Sequence, residues 1–322
     1  MELVSVFQNS KTLASVNLNP PAGRPGYVCR LPSFVRGVHR GRPAFYGGEV
    51  MSYQLRILSL GAGVQSTAIF LMACKGVLPK PHLAIFADTG WETLATYQHL
   101  EWLERIGKEE GIPIVRVSGE KNGLNLRETL QEKGAIFDPT PSFSFNDGKV
   151  RMGKRQCTYD YKIGPFKRKA REILGLNPHQ RAPRGAVEMW IGISLDELRR
   201  TRGYRPDRMT QVRFPLIEWV QMDRQQCIQW IAENFPGHVP PKSSCIGCPY
   251  HSDNEWRALT EAEFTDACLV DEALRNAKGL KYPAFLHRSC VPLAEVDFTD
   301  YQLRLPFAEV QKHELILGGL FL

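Results

Sequence analysis

The chain has 322 residues, a formal net charge of +7 at pH 7 and a sequence pI near 9.0. This length allows one large domain or two modest ones, and the positive charge favours an anionic partner such as a nucleotide, a sulfate ester or a nucleic acid. No apolar run approaches the roughly 18 residues that a membrane helix needs. Eight cysteines without the spacing of a small disulfide scaffold predict a reduced, cytoplasmic protein with a metal site.

Residues 1–50 differ in composition from the rest of the chain. They contain several prolines and glycines, five arginines between positions 24 and 42, and no sustained periodicity. We expect a poorly ordered basic extension, with the compact fold beginning at Tyr53 and Met51 as an alternative start. A basic arm that grips nucleic acid is the competing interpretation.

From residue 55 onward, apolar strands and helical segments alternate. The predicted strands are 55–60, 83–87, 113–117 and 187–193, and the predicted helices are 66–75, 93–108 and 124–133. Such alternation with short connections predicts a parallel sheet covered on both faces. Ligands of such sheets bind beyond the carboxyl ends of the strands.

The first strand ends in a glycine turn, Gly61-Ala62-Gly63, and helix-forming residues follow from Ser66. Free N–H groups and the dipole at a helix N-terminus favour an anion, and glycine allows the main chain to approach a phosphate closely. We therefore predict a nucleotide-binding loop. A dinucleotide fingerprint with Asp88 as the ribose-binding acid competes with this interpretation, although Ser66 replaces its third glycine. A purely structural turn is the third interpretation.

Two later segments are basic. Residues 137–165 combine prolines and phenylalanines with four cations ahead of Cys157, which predicts a mobile loop that covers a substrate. Four arginines between positions 199 and 205 follow Gly192 and suit phosphate or sulfate oxygens. A solvated surface is the alternative for both segments.

Cys245 and Cys248 form a C-x-x-C pair on a turn at Gly247. Two thiolates at this spacing can reach one metal ion or cluster without straining the chain. A redox pair, or cysteines without a ligand, is the alternative.

Several motifs in chain order carry a resemblance to a known family. The first is Ser59-Leu60-Gly61-Ala62-Gly63-Val64-Gln65-Ser66, followed by Ala87-Asp88-Thr89-Gly90-Trp91-Glu92 and Thr96-Tyr97. The others are Arg155-Gln156-Cys157 with Lys162 and Pro165, Gly192 to Glu197 with Arg200, Phe214 to Trp219 with Asp223, and Ser244 to Pro249. Together they resemble the phosphoadenosine phosphosulfate (PAPS) reductase branch of the PP-loop superfamily.

The resemblance implies an α/β fold: a parallel-sheet PP-loop (adenine nucleotide alpha hydrolase-like) domain over 51–235, with a smaller, mostly helical part carrying the cysteine pair over 236–322. It implies that Asp88 binds Mg²⁺ or the nucleotide and acts in catalysis with Cys157 and Lys162. The implied nucleotide-binding residues are Ser59, Gly61, Gly63, Gln65, Ser66, Thr67, Asp88, Thr89, Gly90, Gly192 and Arg200.

The resemblance also makes Cys157 a third metal ligand beside Cys245 and Cys248. Three cysteines would leave one iron of a [4Fe–4S] cluster open for a non-protein ligand. A zinc ion with His251 as fourth ligand is the alternative, and Cys268 and Cys290 are further candidates for the fourth position.

The chain departs from the family in two respects that bear on its activity. Gln156 stands where iron–sulfur members carry a second adjacent cysteine, and no cysteine follows Cys290 to act as the reductase nucleophile. We therefore expect an ATP-dependent sulfurtransferase that adenylates and thiolates an acceptor. The acceptor could be tRNA, DNA or a small metabolite, and the protein could form a homodimer. A true phosphosulfate reductase, and a non-catalytic nucleotide- or nucleic-acid-binding module with a structural zinc, are the alternatives.

Overall fold

The structure is a computed structural model that describes residues 53–131, 139–177, 179–204, 207–277 and 279–298. All of these residues belong to one unit, Val50–Leu322. The predicted basic extension over residues 1–50 and the last residues of the predicted helix 124–133 lie outside the described residues. Arg205, one of the four clustered arginines, also lies outside them.

Five parallel strands form the central sheet, in the order β3-β2-β1-β6-β7. They are β1 (Leu55–Ser59), β2 (Leu83–Asp88), β3 (Ile114–Ser118), β6 (Val187–Ile191) and β7 (Thr210–Arg213). In this register Ile57 of β1 lies opposite both Leu83 of β2 and Met189 of β6. The α/β class, the parallel sheet and all four predicted strands are confirmed. The short and mostly polar β7 was not predicted, because its sequence lacks an apolar run.

Helices cover both faces of the sheet. The helices are α1 (Val64–Cys74), α2 (Leu94–Glu110), α3 (Leu126–Gln131), α4 (Gly164–Ile173), α5 (Pro215–Glu218), α6 (Arg224–Asn234), α7 (Asp253–Arg257) and α8 (Glu261–Arg275). Shorter turns are a π-helical turn, Tyr159–Ile163, and two 3-10 segments, Leu195–Gly203 and Leu293–Glu295.

Successive residues of the strands point to two separate cores. Leu58 and Phe86 pack with α1, α2 and α6, whereas Ile57 and Ile85 pack with α4. Side chains of a strand alternate between its faces, so a sheet buried on both faces needs a continuous apolar run. The buried Cys74 and Cys227 belong to the first of these cores.

A third core joins the C-terminal part of the chain to the loops after β2. Trp91 packs there with α3, α7 and α8. The fully buried Asp271 of α8 accepts hydrogen bonds from the backbone N–H groups of Leu286 (2.8 Å) and Leu293 (3.0 Å), which fixes the returning chain on α8. These contacts bring the cysteine pair to the carboxyl edge of β2.

The prediction of a loop over residues 137–165 is wrong for most of that range. Residues Phe143–Asn146 (β4) and Lys149–Met152 (β5) form an antiparallel hairpin. Its turn contains Asp147 (φ 51°) and Gly148 (φ 72°), a left-handed pair typical of tight hairpins. Phe143 also exchanges two backbone hydrogen bonds of 2.7 Å with Phe285, which anchors the hairpin. Residues 137 and 138 lie outside the described part.

None of the helices within the described ranges combines the length and the apolar character required to cross a membrane.

Candidate functional site

The glycine turn lies at the point where the strand order of the sheet reverses, between β1 and β6. Gly61 donates its N–H to Ser66 Oγ (3.2 Å), and that hydroxyl donates to the carbonyl of Gly63 (3.2 Å). Ala62 adopts a left-handed conformation with φ 55°. Helix α1 begins at Val64, two residues earlier than predicted, and no described side chain caps its first turn. Its first N–H groups therefore have no side-chain acceptor among the described residues.

Two neighbouring segments enclose the turn. A Cβ atom on Gly192 would lie 2.7 Å from the backbone nitrogen of Ser66, so only glycine fits after β6. On the other side, a Cβ atom on Gly63 would lie 3.0 Å from Cβ of Ser243, and one on Gly61 would lie 3.4 Å from Ser243 Oγ. Ser243 precedes the cysteine pair, so the segment before the cysteines lies next to the turn and leaves little room for a side chain there.

Two other predicted nucleotide-binding residues near the turn, Gln65 and Arg200, are linked through Glu197. Gln65 donates to Ser194 Oγ (3.3 Å) and to Glu197 (3.2 Å), and Glu197 forms an ion pair with Arg200 (2.6 Å). Ser59 is the half-buried last residue of β1. Gln65 and Arg200 thus belong to one polar network beside the turn.

The side chain of Thr67 points into the core. Its side chain is fully buried, and its hydroxyl shares a hydrogen bond of 2.9 Å with His99 Nε2. The prediction that Thr67 contributes a hydroxyl to a nucleotide is therefore corrected: the third residue after the start of α1 already points into the core.

Asp88 ends β2 and is held in a fixed orientation. Its Oδ1 atom accepts hydrogen bonds from the N–H of Gly90 (2.8 Å) and the hydroxyl of Tyr97 (2.8 Å). Burial and the hydrogen bond to Asp88 raise the pKa of Tyr97 far above its ordinary value, so Tyr97 remains a donor. Gly90 has φ 71°, and a Cβ atom there would lie 2.7 Å from Asn125.

Thr89 belongs to the cysteine side of the site rather than to the nucleotide side. It is 1% exposed, donates its hydroxyl to Glu92 Oε1 (3.0 Å) and lies 3.4 Å from Sγ of Cys245. The hydroxyl is thus engaged on the cysteine side, and the assignment of Thr89 as a nucleotide-binding residue stays a prediction.

Glu92 is a site residue that the sequence analysis missed. Its side chain is 1% exposed, and Oε1 also forms an ion pair of 3.1 Å with Lys162 and lies 3.8 Å from Sγ of Cys245. Its Oε2 atom is buried without a hydrogen-bond partner among the described residues. The only signal for Glu92 in the sequence is its position at the end of the Asp88 to Glu92 motif. Because acidic residues are usually exposed to solvent, this position did not indicate a buried carboxylate.

The cysteine pair is docked on the residues after β2. Glu92 and Cys245 form an antiparallel bridge, and Ile246 donates its N–H to the carbonyl of Trp91 (2.8 Å). A Cβ atom on Gly247 would lie 2.0 Å from the ring of Trp91. Only glycine therefore allows the turn between the two cysteines to sit on this buried indole.

Cys157, Cys245 and Cys248 line one small cavity of about 70 Å³, together with Arg155, Lys162 and Ser243. Burial and the nearby Glu92 raise the pKa of Cys245, and burial raises that of Cys248. Burial alone would lower the pKa of Lys162, but the negative charge of Glu92 outweighs it and raises the pKa. The cavity therefore combines thiols with a charged Lys162.

As they stand, no three His, Cys, Asp or Glu side chains of the described ranges surround one point as metal ligands do. The donor set still suits a thiolate-bound metal, because three cysteines line one cavity beside Arg155 and Lys162, whose positive charges would offset the charge of thiolates. His251 is not among the residues that line this cavity. Its Nε2–H donates to the carbonyl of Cys245 at 2.9 Å, and its Nδ1 atom is buried without a hydrogen-bond partner in the described parts of the chain. Its role as a fourth zinc ligand stays a prediction. Cys268 and Cys290 do not line this cavity.

Comparisons with known proteins add no family to these observations. The chain matches no protein-family model, and no curated protein matches its sequence. The fold and the site alone define its class: an α/β protein with a parallel five-stranded sheet, a glycine turn at the reversal of strand order and a cysteine-lined cavity next to that turn.

Proposed function

We propose that this chain is a PAPS reductase-like PP-loop enzyme that binds an adenine nucleotide and uses it for sulfur transfer to an acceptor. One observation carries the proposal: Ser243 lies where a Cβ atom on Gly61 or Gly63 would meet it, and Ser243 also lines the cavity that contains Cys157, Cys245 and Cys248. An anion-binding turn and a set of three thiols therefore share one wall, as a reaction between a nucleotide-activated group and sulfur requires.

The order β3-β2-β1-β6-β7 supports a nucleotide at the turn. In parallel sheets, ligands bind at the carboxyl edge where the strand order reverses. The uncapped first turn of α1 would bind phosphate oxygens, and Asp88, oriented by Tyr97, would bind Mg²⁺ on the same edge. A PP-loop fold is the form of this architecture that the motifs favour.

The reaction that we propose has two steps. An oxygen of the acceptor attacks the α-phosphorus of ATP, and the bond to the β-phosphate breaks, so that pyrophosphate leaves. A sulfur nucleophile from a sulfur donor then attacks the activated carbon; a C–S bond forms, the C–O bond breaks and AMP leaves. The chain would contribute binding, alignment and charge neutralisation, which carry most of the acceleration in phosphoryl chemistry.

Lys162 and Arg155 supply the positive charge at the sulfur side of this site. The ion pair with the buried Glu92 positions Lys162 toward the thiols. Cys157, Cys245 and Cys248 would hold a [4Fe–4S] cluster, which when bound would supply an open iron for the transferred sulfur, whereas zinc there would supply structure only.

The test is purification of the full chain without oxygen, followed by iron, zinc and visible-absorption analysis and by an assay of pyrophosphate release from ATP. We expect iron, brown colour and pyrophosphate release that depends on an acceptor. Cys245→Ala should lose the colour and the sulfur transfer, whereas Cys268→Ala, outside the cavity, should keep both. Full activity of Cys245→Ala would remove the cysteines from the mechanism.

Two other outcomes would replace the proposal. Release of sulfite from PAPS or adenosine phosphosulfate with thioredoxin would make the protein a phosphosulfate reductase. Zinc instead of iron, with nucleotide binding but no turnover, would make it a non-catalytic binding module.

A further inference from the structure

A second and larger cavity, of about 310 Å³, lies beside the cysteine cavity. Its volume falls at the lower end of the range of roughly 300–1,000 Å³ that small-molecule pockets occupy. Apolar surface makes up the larger part of the lining, but hydroxyl residues and two lysines lie among its lining residues: Thr140, Ser142, Ser144, Lys154, Lys281 and Tyr282. The lysines place positive charge beside this apolar surface, which suits an anionic ligand that also has an apolar portion.

A single stretch of chain separates the two cavities. Lys154 and Gln156 line the larger cavity, whereas Arg155 and Cys157 line the cysteine cavity. Thr140 lines both. A group held in the larger cavity would therefore be separated from the cysteine cavity only by the backbone of residues 154–157.

The hairpin carries further polar and basic residues on the face that continues from the cavity. Ser144 on β4 lies opposite Arg151 on β5, and Asn146 lies opposite Lys149. Directly opposed residues of an antiparallel pair share one face, so Arg151 and Lys149 lie on the face whose Ser144 lines the cavity. The apolar pairs Phe143–Met152 and Phe145–Val150 occupy the other face.

The cations of this face are exposed and unneutralised. Lys149, Arg151, Lys154 and Lys281 are all exposed, and none forms an ion pair with a carboxylate in the described parts of the chain. Lys281 instead lies 5.2 Å from the ring centroid of Tyr282. From Lys149 to Lys154 the extended chain spans about 17 Å, so the positive row reaches well beyond the mouth of the cavity.

We propose that the acceptor is a nucleic-acid strand, whose phosphates lie along Lys149, Arg151 and Lys154 and one of whose nucleotides enters the larger cavity. A row of charges is the electrostatic footprint of a polyanion, since a small metabolite would fill the cavity without reaching the hairpin. A cavity of this size takes one unstacked nucleotide and not a duplex, as for other enzymes that modify a base or its sugar. The sulfur-transfer role of this acceptor rests on the proposed function; the binding does not.

The experiment measures binding of a labelled single strand of about 12 nucleotides to the full chain by fluorescence anisotropy, over a range of salt concentrations. The test variant is Lys149→Ala/Arg151→Ala. The control, Arg105→Ala/Lys108→Ala, removes the same two charges from exposed positions on α2. We expect at least about a tenfold loss in the test variant and a salt slope reduced by about 1.4, with the control within about twofold of the unmodified chain.

Comparison of different nucleic acids identifies the kind of strand that binds. RNA and DNA of the same sequence distinguish the two sources of phosphate, and a duplex should bind more weakly than either single strand. Tighter binding of the duplex, equal competition by a free mononucleotide, or unaltered binding by the test variant would each overturn the proposal.

The cavity itself is tested by Ser144→Trp, which narrows it without removing a charge. We expect this variant to bind the strand within a few-fold of the unmodified chain but to lose pyrophosphate release that depends on the strand. Unchanged release would refute the entry of a nucleotide into the cavity. Affinity for ATP should be the same in all variants. An unmodified chain that binds ATP but no strand would refute the acceptor and leave the proposed function standing.

Discussion

The glycine turn and the cysteine cavity are built in different ways. The turn comes from one continuous stretch, Arg56 to Thr67, and its internal hydrogen bonds join residues at most five positions apart. The cysteine cavity combines residues near positions 90, 157 and 245, and the contacts between Glu92 and Cys245 span 153 residues. Local sequence therefore determines the first site, whereas the second depends on the packing of the whole C-terminal part.

The two sites also differ in how their polar groups are satisfied. At the turn, Ser66, Gln65 and Asp88 all have partners, so this side is rigid before any ligand binds. At the cysteines, Glu92 Oε2 is buried without a partner in the described structure, and the thiols of Cys245 and Cys248 have raised pKa values. An unpaired buried oxygen costs stability unless a ligand or water satisfies it. The cysteine side is therefore the more fragile of the two.

The largest effect should come from Gly247→Ala, which breaks the cysteine side alone. The added methyl group would lie 2.0 Å from the ring of Trp91, which is 2% exposed and fixed by a hydrogen bond of 2.6 Å to Asp266. Since the ring cannot move freely, we expect a loss of about 3 kcal/mol in the free energy of unfolding, measured by urea denaturation.

The matched control is Gly203→Ala, where a Cβ atom would meet nothing within 4 Å. It should change the free energy of unfolding by less than about 0.5 kcal/mol. Equal effects of the two substitutions would contradict the close packing of the cysteine turn on Trp91.

The same contrast explains which parts of the fold were predictable. The strands, the parallel sheet and the glycine turn were predicted, because apolar runs and glycines act over short distances. The hairpin was not predicted, because β4 and β5 are short and their anchor, the pairing of Phe143 with Phe285, is distant in the sequence. Burial of strand residues follows from local composition; anchoring by a remote segment does not.

In the candidate site, the sequence identified which residues lie near one another but not what each one contacts. The three cysteines and Lys162 do line one cavity. The buried contacts of Thr67 and Thr89, the role of Glu92 and the backbone contact of His251 required coordinates. Each of these depends on which way a side chain turns, and that is set by tertiary neighbours such as His99 and Cys245.

A smaller effect, confined to the turn side, is expected for Asp88→Asn. Asparagine retains an oxygen that can accept from Gly90 and Tyr97, so the structure should persist while the charge is lost. We expect the affinity for ATP with Mg²⁺, measured by calorimetry, to fall about tenfold, which corresponds to about 1.4 kcal/mol. The metal content of the cysteine site should not change.

Asp147→Asn is the control for Asp88→Asn, because it removes the same charge from the exposed hairpin turn at a left-handed position that asparagine tolerates. Its affinity for ATP should equal that of the unmodified chain. An unaltered affinity in Asp88→Asn as well would mean that the nucleotide does not use the edge of β2.

The smallest expected effect is a loss of folding stability at low pH that is caused by His99. Burial, with a smaller contribution from His238, lowers the pKa of His99 to about 4 from an ordinary value of 6.5. Above pH 6.5 the folded and unfolded states both hold a neutral imidazole. As the pH falls from 6.5 toward 4, only the unfolded state takes up the proton, so stability is progressively lost. At pH 5.5 the loss due to His99 should be about 1 kcal/mol.

Urea denaturation at pH 7 and 5.5 should therefore show a larger loss of stability in acid for the unmodified chain than for His99→Gln. His179→Gln, at an exposed position, should leave that loss unchanged. Identical acid losses in the unmodified chain and His99→Gln would show that burial does not keep the imidazole of His99 neutral in the folded protein.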